Sequence, residues 1–307
     1  MLPLDRPDSV CSHFLFWVAA MVHLPREPES SRVWTPVRVT FDTNVWSDLV
    51  DPDKEASDGD CTAIQRVRAA LNDGRIRGFF SEATVTLDSI GRKEKSAVLG
   101  ASRFEIKTAS TSPSNIAISI GPSWKRTDMH PRFRACISAA RRMGMRALCG
   151  PRRFGDTLVV RGFGEDFYEP LPLGTAFLEA VDRTNRVDSD IVSRGLGRFR
   201  VVEFAKFLSH RDGASGEWWP QGLERAQTDS ERKKVALAVS EWADGEALAA
   251  HAGYRNDFFC TNDQGGALGK RSILHPTHRE WLSEMHGISI ISAAKMADFC
   301  TDIEKIE

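Results

Sequence analysis

The sequence predicts an α/β protein built on a parallel sheet with helices on both faces. Two observations predict it. Short apolar, β-branched or aromatic runs at 37–41, 76–80, 257–260 and 288–291 are each followed by a segment with helical character. That alternation favours parallel pairing under helical cover. The composition agrees: 307 residues, 41% hydrophobic and 27% charged, supply a packed core and argue against long disorder.

The elements follow in order. Residues 1–35 read as an extension and linker, with an apolar run at 14–22, then Pro25 and Pro28 among polar residues. Met21 offers an alternative start that would remove the apolar run. No run reaches the ~18 apolar residues of a membrane helix, and no signal peptide is evident. Residues 37–41 form a strand, and 42–50 turn into a short helix. Ile64, Val67 and Leu71 are spaced for a helix over 62–71. A strand at 76–80 leads to a helix over 81–90 capped by Ser81. In the middle, 104–109 and 116–120 read as strands about a turn. A helix at 131–143, strands at 146–149 and 157–161, and helices at 173–192 and 199–210 follow. Residues 211–222 read as a loop. A long helix at 229–252 carries a candidate break at Gly245. The end returns to strand 257–260, helix 277–286, strand 288–291 and a helix from Ser292.

Charge and cysteine usage narrow the function classes. Lys+Arg 41 against Asp+Glu 42 gives a net charge of -1, which excludes a uniformly basic coat but allows a local patch. Cys11, Cys61, Cys136, Cys149, Cys260 and Cys300 form no CxxC pair, so reduced thiols in a cytoplasmic protein are expected rather than a zinc site. His275 and His278 lack a third ligand, the Gly265–Lys270 region lacks P-loop spacing, and the second Asp of an Asp-x-Asp phosphotransferase loop is absent. Trp218 and Trp219 read as packing residues at least as readily as a stacking platform.

The sharpest signal is a pair of tripeptides, Asp42-Thr43-Asn44 and Thr261-Asn262-Asp263, each following an apolar strand. In open parallel sheets, sites collect at the carboxyl ends of strands. Acids gathered there repel one another unless a cation intervenes, and hard divalent ions prefer oxygen donors. Taken alone, Asp42 could merely cap a helix, and Thr261-Asn262-Asp263 could be an ordinary turn.

Residues 37–44 (VRVTFDTN), 257–263 (DFFCTND) and the acidic helix 244–252 (DGEALAAHA) together resemble the PIN-domain nucleases. The resemblance implies a three-layer α/β sandwich around a central parallel sheet, with three or four acids holding Mg²⁺ or Mn²⁺. It implies hydrolysis of phosphodiesters by metal-activated water, leaving 5′-phosphate and 3′-hydroxyl ends. RNA is the expected partner and single-stranded DNA the second candidate, with a protein partner or homo-oligomer left open. Asp42 is then the first acid and a direct metal ligand, braced by Asn44. Asp244 is the third acid, with Glu246 an alternative on the same helix, and Asp263 is the fourth. Thr261 and Asn262 shape the turn, with Thr261 a contact for carboxylate or phosphate. The second acid is Asp88 or Glu82. Six residues apart on one helix they would not share a face, and Asp88 fits the motif slightly better.

Residues 36–95 and 225–305 have the size of one such domain, which leaves 96–224 as an inserted α+β subdomain, too long for a structureless loop. Between 124 and 153 stand Lys125, Arg126, Arg132, Arg134, Arg141, Arg142, Arg146, Arg152 and Arg153 against Asp128 alone. This run is a candidate nucleic-acid groove with Trp124 and Phe133 as stacking groups. The plainer reading pairs it with acids such as Glu165 and Asp166. Two other functions remain open: a PIN-like binding or regulatory module that no longer cleaves, and a toxin held by an antitoxin, against which the insertion's length argues.

Overall fold

The computed structural model describes residues 36–51, 60–112, 115–123, 131–151, 165–214 and 216–304. The apolar run at 14–22, the alternative start at Met21 and the strand expected at 157–161 lie outside the described residues. So do Lys125, Arg126, Arg152 and Arg153.

Five strands form one all-parallel sheet in the order β5-β2-β1-β6-β7. They are β1 (Val37–Phe41), β2 (Ile76–Ser81), β5 (Arg146–Leu148), β6 (Phe258–Cys260) and β7 (Ile290–Ile291). On β1, Val39 and Phe41 point to one face and Arg38 and Thr40 to the other, as period-two alternation requires. The Val39 and Phe41 face packs on α1 (Thr43–Val50), α2 (Asp60–Asn72), α5 (Pro131–Arg142) and α10 (Ala293–Glu304) through Trp46, Leu49, Ile64, Val67, Ile137 and Met296. The opposite face lies under α8 (Asp229–Gly253), where Phe79 and Leu148 meet Ala250. Phe259 joins a core that includes Leu248, Val187 of α6 (Thr175–Ser193) and Leu282 of α9 (Pro276–His286). Helices therefore cover both faces, as the alternating pattern predicts.

Helix α8 is held by a capping box between Thr228 and Glu231. It runs unbroken through Gly245, contrary to the expected break. That glycine marks a close approach instead: a Cβ there would stand 3.4 Å from the Cα of Gly197. The helix expected over 81–90 stops early. Ser81 caps α3 (Glu82–Thr86), and the chain turns at Leu87 before α4 (Lys95–Gly100). These pack with α7 (Arg198–Arg211), the 3₁₀ turn Trp219–Arg225 and α8 in a second core. Trp219 meets Trp242 edge-on at 5.8 Å, so that tryptophan is a packing residue.

The middle of the chain differs from the expected separate insertion. Strand β5 pairs with β2 in the main sheet, and α5, α6 and α7 pack within the main body. That body comprises Pro36–Ser102 and Trp124–Glu307. The reason is burial: Ala147 and Leu148 are fully covered only as an extension of the sheet. The hairpin β3 (Arg103–Ser112) and β4 (Asn115–Ser123) belongs to a separate unit and is antiparallel. Among the described residues no helix is long and apolar enough to cross a membrane. Cys61, Cys136, Cys149, Cys260 and Cys300 are free thiols.

Candidate active site

The order of the sheet creates a switch point. From β1 the chain moves to β2 on one side, and β6 later enters on the other. A crevice at the carboxyl ends is expected there. The backbone amide of Asp42 donates to the carbonyl of Cys260 at 3.0 Å, which brings the two tripeptides together.

Asp42 is both a helix cap and the centre of this site. Its Oδ1 accepts from the Thr43 amide at 2.7 Å, which starts α1. Its Oδ2 accepts from Thr261 Oγ1 at 2.7 Å and from Asn44 Nδ2 at 2.5 Å. Asn44 Nδ2 also donates to Thr261 Oγ1 at 3.1 Å, and its Oδ1 accepts from the Asn262 amide at 3.1 Å. Asn262 Oδ1 in turn accepts from the Ala293 amide at the start of α10. Asp263 closes the loop: its amide donates to Thr261 Oγ1 at 3.0 Å, and its Oδ1 accepts from Gly265 at 2.8 Å. The bracing expected of Asn44, Thr261 and Asn262 is thus present as hydrogen bonds.

Asp88 and Asp244 complete a group of four acids. Asp88 Oδ2 accepts from Thr43 Oγ1 at 2.8 Å, and its Oδ1 pairs with Lys95 Nζ at 3.3 Å. Lys95 also donates to Ser240 Oγ on α8. Asp244 is half-buried on α8, and the charges of Asp42, Asp88 and Asp263 act on it. Burial raises Asp42 to about 6, and the charges of Asp88 and Asp263 push the same way, while bonds from Thr261 and Thr43 oppose. Asp244 is raised well above the ordinary carboxylate range, by burial first and then by the charges of Asp42, Glu241, Asp88 and Asp263. Burial and neighbouring negative charge both disfavour ionisation of Asp42 and Asp244.

The two paired alternatives differ in placement. Glu82 is buried with its Oε1 accepting from Tyr168 at 3.1 Å, whereas Asp88 meets Thr43 and Lys95. Because α3 ends at Thr86, Asp88 sits in the turn beyond it and not on the helix that the spacing argument assumed. Glu246 is buried with its Oε1 accepting from Trp242 Nε1 at 2.8 Å. Two positions along α8 turn it about 200° from Asp244.

Three further residues belong to the neighbourhood and are not singled out by any motif. Glu241, one turn before Asp244, accepts from the amides of Ile273 at 2.7 Å and Gly197 at 3.3 Å, and burial raises it to about 7. Its i, i+3 spacing to Asp244 was the available signal. Arg279 on α9 holds the loop through its Nη2 bond to the Asp263 carbonyl and its Nε bond to Leu274 at 2.7 Å. Burial lowers its pKa, and the charges of Asp263 and Asp42 oppose that shift. Lys95 is the third.

The basic run divides. Arg132 pairs with Asp51, and Arg141 makes two bonds to Asp166 at 2.8 and 2.7 Å. Phe133 is half-buried and packs on Trp46 at 5.4 Å, against the main core. Arg134 and Arg142 are exposed on α5. The plainer reading, ion pairs with local acids, describes Arg132 and Arg141.

The donor chemistry of the four acids suits a hard divalent cation. As placed, however, no three His, Cys, Asp or Glu side chains among the described residues converge closely enough to hold a metal ion. Compared with family models, curated proteins and solved structures, the chain matches none.

Proposed function

We propose that the protein is a divalent-metal-dependent nuclease of the PIN-like kind, acting on RNA. One observation carries the reading: Asp42 and Asp263 are tied together through Thr261 at the switch point of a parallel sheet, Asp88 meets Thr43 beside them, and the ionisation of Asp42 and Asp244 is opposed by burial and by neighbouring carboxylates. Such an arrangement is costly for a site with no cationic ligand, and costly arrangements concentrate at functional sites.

Asp42, Asp244 and Asp263 would hold Mg²⁺ or Mn²⁺, with Asp88 positioned by Thr43 and Lys95. The bound cation would supply an activated water and charge stabilisation at phosphorus. The chain's own groups do the rest. Thr261 and Asn44 fix the Asp42 carboxylate from one side, leaving its remaining lone pair for a ligand. Burial raises Asp42 to about 6 and, with neighbouring charges, shifts Asp244 the same way; a bound cation would oppose both shifts, so binding would release protons at pH values near 6. Arg279 keeps the Asp263 loop closed while bringing positive charge to the site's edge.

A second reading, a PIN-like module that binds or regulates without cleaving, is favoured by a specific observation. Three donors already saturate most of Asp42, and the acids are not drawn together as a finished cage.

The test is cleavage of labelled single-stranded RNA, with single- and double-stranded DNA alongside, in Mn²⁺, Mg²⁺ and EDTA. Metal-dependent cleavage by the wild type that falls at least 10³-fold in both Asp42→Asn and Asp263→Asn supports the nuclease. Calorimetry with Mn²⁺ in two buffers of different ionisation heat reads the proton release. Saturable Mn²⁺ binding without cleavage transfers the site to the non-cleaving module. No metal binding and no cleavage defeats the nuclease reading.

A further inference from the structure

The opposite edge of the sheet carries a second charged cluster that the four acids do not use. Arg38 on β1 and Arg77 on β2 are register partners, and Arg146 opens β5 beside Phe79. All three guanidinium groups converge on Glu169. Arg38 Nη1 donates to Glu169 Oε1 at 3.1 Å, and Arg77 Nη2 and Arg146 Nη1 donate to Oε2 at 2.9 and 3.4 Å. Arg38 and Arg77 also stack over the Phe79 ring, 4.4 and 5.5 Å from its centroid. Arg38 Nε is fixed by Asn256 Oδ1 at 2.9 Å, and the Glu169 backbone carbonyl by Tyr254.

The charge does not balance. Three cations share one carboxylate that is itself only 8% exposed. Two other acids stand near. Asp257 accepts from the Arg38 amide, and Asp166, under the influence of Arg146, is held by Arg141. Each guanidinium carries five N–H donors. Among the described residues, the three together direct four of them at protein acceptors. The arginines are 27, 42 and 35% exposed at the side chain, so their remaining donors reach solvent from an ordered, aromatic-backed platform. Planar forks held in this way match the oxygens of a phosphate.

We propose that Arg38, Arg77 and Arg146 form a binding site for a phosphate group, carried by a small phosphate ester or by a polynucleotide backbone. Glu169 is the internal anchor that gathers the arginines in the absence of ligand. The site is separate from the acids: Arg38 lies four residues before Asp42 along β1, about 13 Å at ~3.3 Å per residue. The inference does not depend on the nuclease reading.

The experiment uses the full chain in EDTA, where metal-dependent cleavage cannot consume the probe. Wild type, Arg77→Gln, Arg146→Gln and the charge-keeping Arg77→Lys are compared, with circular dichroism to establish folding. Orthophosphate is titrated by thermal shift and calorimetry at constant ionic strength against chloride. A labelled single-stranded RNA is titrated across salt concentrations. Saturable phosphate binding, weakened at least fivefold in both Gln variants and partly retained in Arg77→Lys, supports the site with a small ester as ligand. RNA binding whose salt slope falls by ~0.7 per arginine removed supports it with a polynucleotide as source. If phosphate affinity and RNA salt slope are the same in the wild type and in the folded variants, or if neither probe binds the wild type, the inference is overturned. Asp42→Asn leaves phosphate binding here unchanged, which keeps failure of this site distinguishable from failure of the acidic one.

Discussion

Strand β1 carries Arg38 at its start and leads into Asp42 at its end, and the surroundings of the two residues are opposites. At the carboxyl edge four acids meet two cations; at the amino edge three arginines meet one buried carboxylate. Between them the polar groups are neutral. Thr40 bonds His251 Nδ1 at 2.9 Å and Asn256 Nδ2 at 2.8 Å, and burial lowers His251 to about 3, so it stays uncharged. A short sheet can thus hold charge excesses of both signs because a dry, neutral layer under α8 separates them. Each end is unbalanced in a direction that a ligand of opposite charge would correct.

The largest expected effect is at the acidic end. Asp244→Asn should lower metal-dependent cleavage by at least 100-fold while raising the melting temperature of the metal-free protein, because it removes a strongly repelled acid. A loss of activity with a loss of stability would break this account of Asp244. At the basic end the sign reverses. Glu169→Gln leaves three guanidinium groups without their anchor and should cost about 2–3 kcal/mol by urea denaturation at low salt. Added phosphate should recover part of that loss. Equal recovery by chloride at the same ionic strength would reduce the effect to screening.

The pH dependence sharpens the comparison further. Asp42 at about 6 and Glu241 at about 7 lie above their unfolded values, and Asp244 is shifted the same way. Between about pH 4 and those values the folded protein binds more protons than the unfolded chain, so stability falls as pH rises through this window. From Asp42 alone the loss is roughly 2–3 kcal/mol. Thermal melts should therefore show higher stability at pH 5 than at pH 7.5, and millimolar Mn²⁺ should diminish the difference. A flat profile would mean that the acids do not crowd one another. The smallest expected effect is that of Thr261→Val, which removes one donor to Asp42 and one acceptor for Asp263. About a tenfold loss of cleavage is expected, with Mn²⁺ affinity measured alongside to separate positioning from binding.

Much of this arrangement was legible from residue patterns. The β-branched run 37–41, the capping signal at Ser81 and the apolar spacing at 62–71 place strands and helix starts close to where they stand, because local burial and capping govern them. The placement of Asp42 and Asp263 near the ends of β1 and β6 was legible too, since each apolar strand run fixes where its carboxyl end stands. The surroundings of Glu82 and Asp88 were not. Both are acids near one strand end, and the early stop of α3 decided that Asp88 stands in the turn beyond it, against Thr43 and Lys95. The arginine cluster was hidden for another reason. Arg38 and Arg77 look like isolated charges in the sequence, while Arg146 is one of the basic run at 124–153, from which Arg132 and Arg141 are spent on Asp51 and Asp166.

The sequence by itself determined the alternation of strand and helix, the acids at strand ends and the near-zero net charge, all properties of local spacing and composition. Only the tertiary structure decided that β5 extends the main sheet, that Glu246 is buried against Trp242, and that three distant arginines share Glu169. Those outcomes depend on strand order and on the angle at which α8 crosses the sheet, and both are set by the simultaneous burial of many side chains far apart in the chain.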